Sequence, residues 1–255
     1  MPAEYHETFR QNGYYAVSDG SVRFIVLNMN YCARLNFWIA CDYLDMGGML
    51  RWMQIELQIA LAKQQYVYIV GHVVPDIEEC VVHWVQAYND IIEKYRNIIK
   101  AQFFGHTHMD EIRLYYSARN SSDAVGVAYV TPSVTTFCDV NPAFRLYNTE
   151  PATGAIVDHR TYYMNLTQEN TKYLSVSNFF IPEAKWHFEY SARAAYNLSS
   201  LDPAEWHKLM SNIKENKSYL HQFYQYYGRY SQATVNKANN EDIYNLITDR
   251  VFVRF

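Results

Sequence analysis

Short apolar segments that alternate with helical repeats are the feature that most constrains the fold of this chain. Three such segments are predicted to be strands: Ser21–Asn30, Tyr66–Val70 and Ala101–Phe104. Between them, Gly48–Lys63 and Val81–Ile99 carry apolar residues at helical spacing, and each builds one apolar face. Because a β-α-β-α-β order needs crossover helices, it predicts a largely parallel sheet in an α/β sandwich.

The second half of the chain follows a different pattern. From Asp110 to about Leu166, short strand-like segments joined by polar turns predict an antiparallel meander. Beyond Ile181 we expect helices, because Asp202-Pro203-Ala204-Glu205 combines an N-cap carboxylate, proline at the first helical position and glutamate at the third. From about Ser231 no period is evident before the apolar end, VFVRF.

Histidines follow two of the predicted strands. His72 ends a Gly-His pair, and His106 and His108 form a Gly-His-x-His run. Both groups fall at the carboxyl edge of the predicted sheet, where α/β proteins place their sites, and neutral imidazole is a common metal ligand. A single histidine after a strand is more often a hydrogen-bonded structural residue, so both interpretations of His72 stay open, while His-x-His favours a metal more strongly.

The remaining acidic and histidine residues add no clear ligand. Adjacent strand residues face opposite sides, so we expect Asp110 and Glu111 to form a solvated edge and not an acid/base pair. No bridging aspartate for a two-metal centre is evident. Six histidines have no partner at ligand spacing and are interpreted as structural or surface residues: His6, His83, His159, His187, His207 and His221.

The composition and the absence of certain motifs argue against several classes of protein function. The formal net charge is −4, without a long Lys/Arg run, which argues against nucleic-acid binding. No apolar stretch reaches the roughly 18 residues of a membrane span. Residues 1–10 lack the cationic and apolar regions of a signal peptide. G-x-S-x-G, G-x-x-x-x-G-K and G-x-G-x-x-G are absent, so serine-hydrolase, P-loop and dinucleotide-binding functions lack their defining residues.

Longer motifs carry a resemblance to a known family. The motifs are FIVLNMNYCARLNFW, VGHVVPD, KYRNIIKAQFFGHTHMDE, AYVTPSVTTF, NPAFRLY, DHRTYYMNLTQEN, ARAAYNL and AEWHKL. Through these motifs the chain resembles the acid sphingomyelinases, within the calcineurin-like metallophosphoesterases, over roughly residues 2–230.

The resemblance implies a fold and a metal centre. The chain would be the C-terminal half of a four-layer α/β/β/α metallophosphoesterase sandwich, over residues 1–170, followed by a helical C-terminal region, 171–230, and a tail, 231–255. Of seven ligands to two zinc ions, His72 and His106 would bind one ion and His108 the other. The remaining ligands and the histidine that assists the leaving group would lie upstream, so we expect a fragment that is inactive alone.

Further features are implied by the same resemblance. Cys32 and Cys80 match a family disulfide, whereas Cys41 and Cys138 have no assigned partner. Asn165 matches a family glycosylation site, while Asn120, Asn197 and Asn216 are acceptor sequences that chance also explains. The protein is then expected to be secreted or lysosomal.

The implied activity is zinc-dependent hydrolysis of sphingomyelin, in membranes or lipoproteins, to ceramide and phosphocholine. Leu35 and Phe137 depart from the family pattern and would alter the head-group pocket. Two alternatives remain: a related phosphodiesterase that acts on nucleotides, and a catalytically dead secreted protein that binds lipid or another chain.

Overall fold

A computed structural model describes residues 6–42, 44–174, 183–213, 215–231 and 240–253. Its helices are α1 (His6–Asn12), α2 (Met49–Ala62), α3 (Val82–Lys94), α4 (Leu166–Leu174), α5 (Ala192–Tyr196), α6 (Pro203–Ser211), α7 (Lys217–Tyr227) and α8 (Asn240–Val251). Its strands are β1 (Tyr15–Asp19), β2 (Val22–Val26), β3 (Tyr66–Val70), β4 (Ile99–Phe104), β5 (Glu111–Ser117), β6 (Asn120–Val130), β7 (Ala143–Thr149), β8 (Ile156–Tyr163), β9 (His187–Ser191) and β10 (Phe252–Val253).

A seven-stranded sheet organises the described residues. Its strand order is β1-β2-β3-β4-β6-β5-β10. The central strands β2, β3, β4 and β6 are parallel to one another, while β1 is antiparallel to β2 and β5 is antiparallel to β6. The α/β class and the parallel core predicted from the sequence are therefore confirmed, and β3 is the strand Tyr66–Val70 as predicted.

Alternating residues of the central strands pack into two separate cores. In β3, Val67 and Ile69 join the core under α2 and α3, whereas Tyr68 points to the opposite core. In β6, Ala128 and Tyr129 divide in the same way. Because both faces of the sheet are covered, its strands are apolar along nearly their whole length, which is why they were recognisable in the sequence.

A second, three-stranded sheet covers part of the opposite face. It has the order β7-β8-β9 and is antiparallel throughout. Tyr147 of β7 packs edge-on against Phe103 of the large sheet, and the hydroxyl of Tyr68 donates to the carbonyl of Gly154 at 2.7 Å. The predicted single meander is thus wrong: β5 and β6 complete the large sheet, and β7 and β8 start a new one.

The C-terminal third contains more than the predicted helices. Strand β9 pairs with β8 inside the region expected to be helical. Helix α8 and strand β10 lie where no period was recognised, and β10 pairs with β5. Ile243, Ile247 and Val251 are buried at four-residue spacing, so the helical signal was present but was overlooked.

Two local boundaries and one helix cap also differ from the sequence predictions. Strand β2 ends at Val26, because the Asn28 side chain starts a short 3-10 turn over Met29–Tyr31. Helix α3 ends at Lys94 and not near Ile99, which already belongs to β4. Helix α6 starts at Pro203 as predicted, but Glu205 accepts from the amide of Ser199 and makes no capping box with Asp202. Among the described residues, no helix has the length and apolar character needed to span a bilayer.

Candidate metal centre

Two neighbouring loops at the carboxyl edge of the large sheet carry the predicted site. The first follows β3 and the second follows β4, and the Gly105 amide donates to the carbonyl of His72 at 2.9 Å. A Cβ atom on Gly71 would come within 2.7 Å of the Phe104 ring, so only glycine fits there. At Gly105 such an atom would meet nothing closer than 3.8 Å, so that glycine is not required by packing.

The imidazoles of His72 and His106 meet across these loops. Nε2 of His72 and Nδ1 of His106 are 3.3 Å apart, with the ring planes nearly perpendicular. Two nitrogens bound tetrahedrally to one zinc ion at about 2.05 Å are themselves separated by about 3.3 Å. The separation of the two nitrogens therefore matches two ligand positions on a single ion, and it also matches a hydrogen bond between the two rings.

The charge state of His72 favours metal binding. Its pKa is lowered by partial burial, and further by the neighbouring His106 and His108 imidazoles. A lower pKa keeps the ring neutral, and neutral imidazole is the form that binds metals.

The second histidine of the Gly-His-x-His run lies in a strained turn. His106 has φ of 74° and His108 has φ of 66°, a left-handed conformation that side chains other than glycine rarely adopt. The carbonyl of His108 accepts from Nη1 of Arg229, which is fully buried, and from the Ser133 hydroxyl at 3.4 Å. These contacts hold the turn, since strain of this kind persists only where the surroundings fix it.

The side chain of His108 faces a different set of neighbours from His72 and His106. Its ring lies 5.7 Å from that of Phe137, in an edge-on arrangement. Its Nδ1 lies 4.0 Å from the Sγ of Cys138, an exposed free thiol.

A carboxylate that sequence reasoning missed lies beside His106. Oε2 of Glu79 is 3.3 Å from Nε2 of His106, on the ring edge opposite to His72. No pattern in the sequence indicated this contact, because Glu79 lies in an irregular loop and the two residues are far apart along the chain.

The acidic pair after the turn is buried, so the solvated edge predicted for Asp110 and Glu111 is wrong. Asp110 forms an ion pair with Arg145 and accepts from the Tyr190 hydroxyl at 3.0 Å. Glu111 pairs with Arg113 at 3.0 Å. The two carboxylates pair with different arginines: Asp110, just before β5, pairs with Arg145, and Glu111, the first residue of β5, pairs with Arg113.

Within the part of the chain that the structure describes, no group of three or more His, Cys, Asp or Glu side chains is arranged to hold one metal ion. His72 and His106 fit two positions of a site, and the chemistry of the donors suits zinc or a similar divalent metal. Further oxygen or nitrogen donors are needed to complete it.

The remaining predicted residues are placed as follows. The sulfurs of Cys32 and Cys80 are bonded, which ties the loop after β2 to the loop after His72, and Cys41 is an exposed free thiol. Asn165 is half-buried, and its side-chain oxygen accepts from the Gln168 amide at the start of α4.

Two of the histidines interpreted as structural or surface residues have defined surroundings. His159 is buried, which lowers its pKa well below the usual value. A ring nitrogen of His207 contacts the Tyr116 hydroxyl at 2.9 Å.

Comparison with known proteins shows which family this chain is similar to. A family model for the acid sphingomyelin phosphodiesterase C-terminal region matches residues 121–240. Sphingomyelin phosphodiesterase of Homo sapiens is 37% identical over 231 residues, which cover 88% of this chain and 35% of the human protein. Sphingomyelin phosphodiesterase B of Dictyostelium discoideum is 33% identical over 222 residues, 84% of this chain and 33% of that protein.

Structural comparison gives a more distant likeness. A solved structure of PhoD overlaps 70% of this chain and 41% of its own, with a TM-score of 0.42 and 11% identity, which is too remote to define a function.

A parallel sheet with histidines at its carboxyl edge defines an α/β protein with a candidate metal site between strand ends. The sequence matches then identify the group: the chain belongs to the acid sphingomyelinase family. The resemblance noted in the sequence is thereby confirmed. The chain spans about a third of the length of the curated relatives it matches.

Proposed function

We propose that the chain supplies one side of a two-metal phosphodiesterase site, in which His72 and His106 bind one ion and His108 binds the second. The observation that carries this proposal is the 3.3 Å separation of His72 Nε2 and His106 Nδ1. This distance matches the separation of two nitrogen ligands on one tetrahedral zinc ion. The lowered pKa of His72 supports the same role.

The protein residues provide orientation around the metals. When bound, the ions would polarise a phosphate oxygen and lower the pKa of a water molecule toward neutrality. Gly71 lets the backbone turn closely over Phe104, so the His72 ring reaches the neighbouring strand end. Arg229 and Ser133 hold the carbonyl of His108 and so restrain the backbone of the turn that carries its ring.

Sphingomyelin is the substrate that we propose, with ceramide and phosphocholine as products and zinc as the metal. The names of the human and Dictyostelium relatives support this choice. In the whole protein, cleavage would need donors in addition to the three histidines. The 255-residue chain by itself is therefore proposed to be inactive, because three ligands of seven would bind zinc weakly and would not activate water.

Release of phosphocholine from sphingomyelin vesicles tests this function. The complete native protein should cleave sphingomyelin with zinc and lose activity at least a hundredfold in His72→Ala and in His106→Ala. His221→Ala is the matched control, since His221 is exposed on α7. Full activity of His106→Ala would contradict the proposal, and zinc-dependent cleavage by the 255-residue chain alone would contradict its inactivity.

The same preparation distinguishes the alternatives. Faster cleavage of a nucleotide phosphodiester than of sphingomyelin would identify a nucleotide phosphodiesterase. A folded native protein that binds vesicles without cleaving either substrate would identify a binding protein.

We further propose that the protein is secreted or lysosomal and is glycosylated at Asn165. The Cys32–Cys80 disulfide supports this location, because disulfides persist mainly in oxidising compartments. Removal of N-linked glycans should increase gel mobility of the native protein, and Asn165→Gln should reduce that shift. The division near residues 170 and 230 into catalytic part, helical region and tail likewise stays a prediction.

A further inference from the structure

We propose that Glu79 is a positioning residue for the metal centre: its carboxylate accepts a hydrogen bond from Nε2–H of His106 and so directs Nδ1 toward His72. The inference concerns the tautomer of one ring, and it rests on the proposed function only in taking His72 and His106 as metal ligands.

The geometry of the His106 ring carries this proposal. Its Nδ1 is 3.3 Å from Nε2 of His72, and its Nε2 is 3.3 Å from Oε2 of Glu79. A neutral imidazole carries one proton on one of these two nitrogens. A carboxylate accepts that proton on the Nε2 side, which leaves a lone pair on Nδ1. Metal-binding histidines commonly donate their other N–H to a carboxylate in this way.

The loop that carries Glu79 is held by several contacts. Oδ1 of Asp76 accepts from the amides of Glu78 and Glu79, each at 3.0 Å. Oδ2 of Asp76 accepts from Nε of Arg113 at 2.8 Å, and Arg113 is fully buried in β5. The loop is therefore anchored to the sheet by a charge pair. Glu79 is presented to His106 from a fixed backbone.

Bonds on both sides of Glu79 add to this anchoring. The carbonyl of Glu79 accepts from the amide of Arg34 at 2.9 Å, and the next residue, Cys80, is bonded to Cys32. With 28% of its side chain exposed, Glu79 is sheltered enough for one hydrogen bond to orient the ring.

Glu78 provides a matched control in the same loop. Its carboxylate points to α8, where Oε2 lies 3.7 Å from Arg250, and its side chain is 42% exposed. Replacing Glu78 removes the same charge from the same loop without removing an acceptor from His106.

The tautomer of His106 is the first readout. In the metal-free 255-residue chain labelled with nitrogen-15, two-bond proton–nitrogen spectra at about pH 8 should show His106 protonated on Nε2. Glu79→Ala should give a mixture of both tautomers. Glu79→Gln keeps an acceptor oxygen and should restore the Nε2–H form, and Glu78→Ala should leave the spectrum unchanged.

Cobalt binding is the second readout. Co²⁺ titrated into the same proteins should bind Glu79→Ala roughly 10 to 100-fold more weakly than the unchanged chain. Glu78→Ala should bind as the unchanged chain does. An unaltered tautomer in Glu79→Ala, or equal losses in Glu78→Ala and Glu79→Ala, would overturn the positioning role. Failure of the unchanged chain to bind Co²⁺ through His72 and His106 would instead overturn the metal site. The tautomer spectra would still show whether Glu79 determines which nitrogen of His106 carries the proton.

Discussion

Glu189 is a single carboxyl group with an unusual environment. Neither of its oxygens has a hydrogen-bond partner among the described residues, and both are shielded from solvent. The pKa of Glu189 is raised to about 9, mainly by burial and in addition by the negative charge of Asp110, against the opposing effect of Arg145 and Arg229. At neutral pH the folded chain therefore keeps this carboxyl protonated, whereas the unfolded chain ionises it.

Stability should consequently fall as pH rises past the ordinary pKa of a glutamate. A carboxyl whose folded pKa is raised favours the folded state fully below its unfolded pKa, and this contribution is lost up to the folded pKa, here about 9. The loss is at most roughly 1.4 kcal/mol per pH unit. Glu189→Gln should abolish it, so the melting temperature of this variant should fall less between pH 5 and pH 8 than that of the unchanged chain.

Glu183→Gln is the control for this measurement, because Glu183 is exposed. Melting temperatures of Glu189→Gln and Glu183→Gln that change equally with pH would show that ionisation of Glu189 does not make stability depend on pH.

The sequence predicts some residues of the candidate metal centre and misses others, for a physical reason. His72 and His106 were predicted because each follows a short apolar strand. The local pattern therefore indicates both a residue type that binds metals and its position at the end of a strand. Glu79 and Arg229 were missed because their roles come from contacts with residues distant in sequence. Asp110 was misplaced because its buried partners, Arg145 and Tyr190, lie on another sheet.

Helix α7 reaches the metal centre through the residues that follow it. Arg229 donates to the carbonyls of His108 and Asn141, and the side chain of Asn141 donates back to the carbonyl of Arg229 at 2.9 Å. The C-terminal helical region thus fixes the turn that carries His108.

Arg229→Met should loosen this turn. The variant leaves the part-buried carbonyl of Asn141 without this donor and the carbonyl of His108 with the 3.4 Å contact from Ser133 alone. An unsatisfied buried group costs about 1–3 kcal/mol. We expect a lower free energy of unfolding in urea and faster hydrogen exchange at the amides of Thr107 and Met109. Arg160→Met, at an exposed position of β8, should change neither quantity, and unaltered exchange in Arg229→Met would show that the turn does not depend on Arg229.

The helices and strands differ in how accurately the sequence predicts them. Strand β3 was predicted with its correct ends, whereas β2 and β4 were predicted in the right place but with different bounds. Strand β9 was missed because it is a five-residue edge strand whose pairing with β8 the local sequence does not encode. The meander was predicted as one unit because hairpin signals are local, whereas the break between the two sheets is set by packing.

For the whole molecule, the Cys32–Cys80 disulfide links the loop after β2 to the loop that follows β3 and carries His72. It closes a loop of 48 residues, which includes α2 and β3. Such a link disfavours the unfolded chain by restricting it.

Replacing both cysteines by serine should lower the free energy of unfolding by about 2–4 kcal/mol. Urea denaturation of the double variant measures this loss. The control is Cys41→Ser, which removes an exposed free thiol and should leave the denaturation midpoint unchanged. Equal midpoints for the double variant and the unchanged chain would show that the disulfide adds no stability.

The central claim is that two strand-end loops bring His72 and His106 together on one metal ion. Zinc titration of the nitrogen-15-labelled chain, followed at the histidine nitrogens, tests it most directly. We predict that Nε2 of His72 and Nδ1 of His106 shift together with one shared affinity, while His221 does not respond. Separate affinities for the two rings, or a response no larger than that of His221, would contradict the claim.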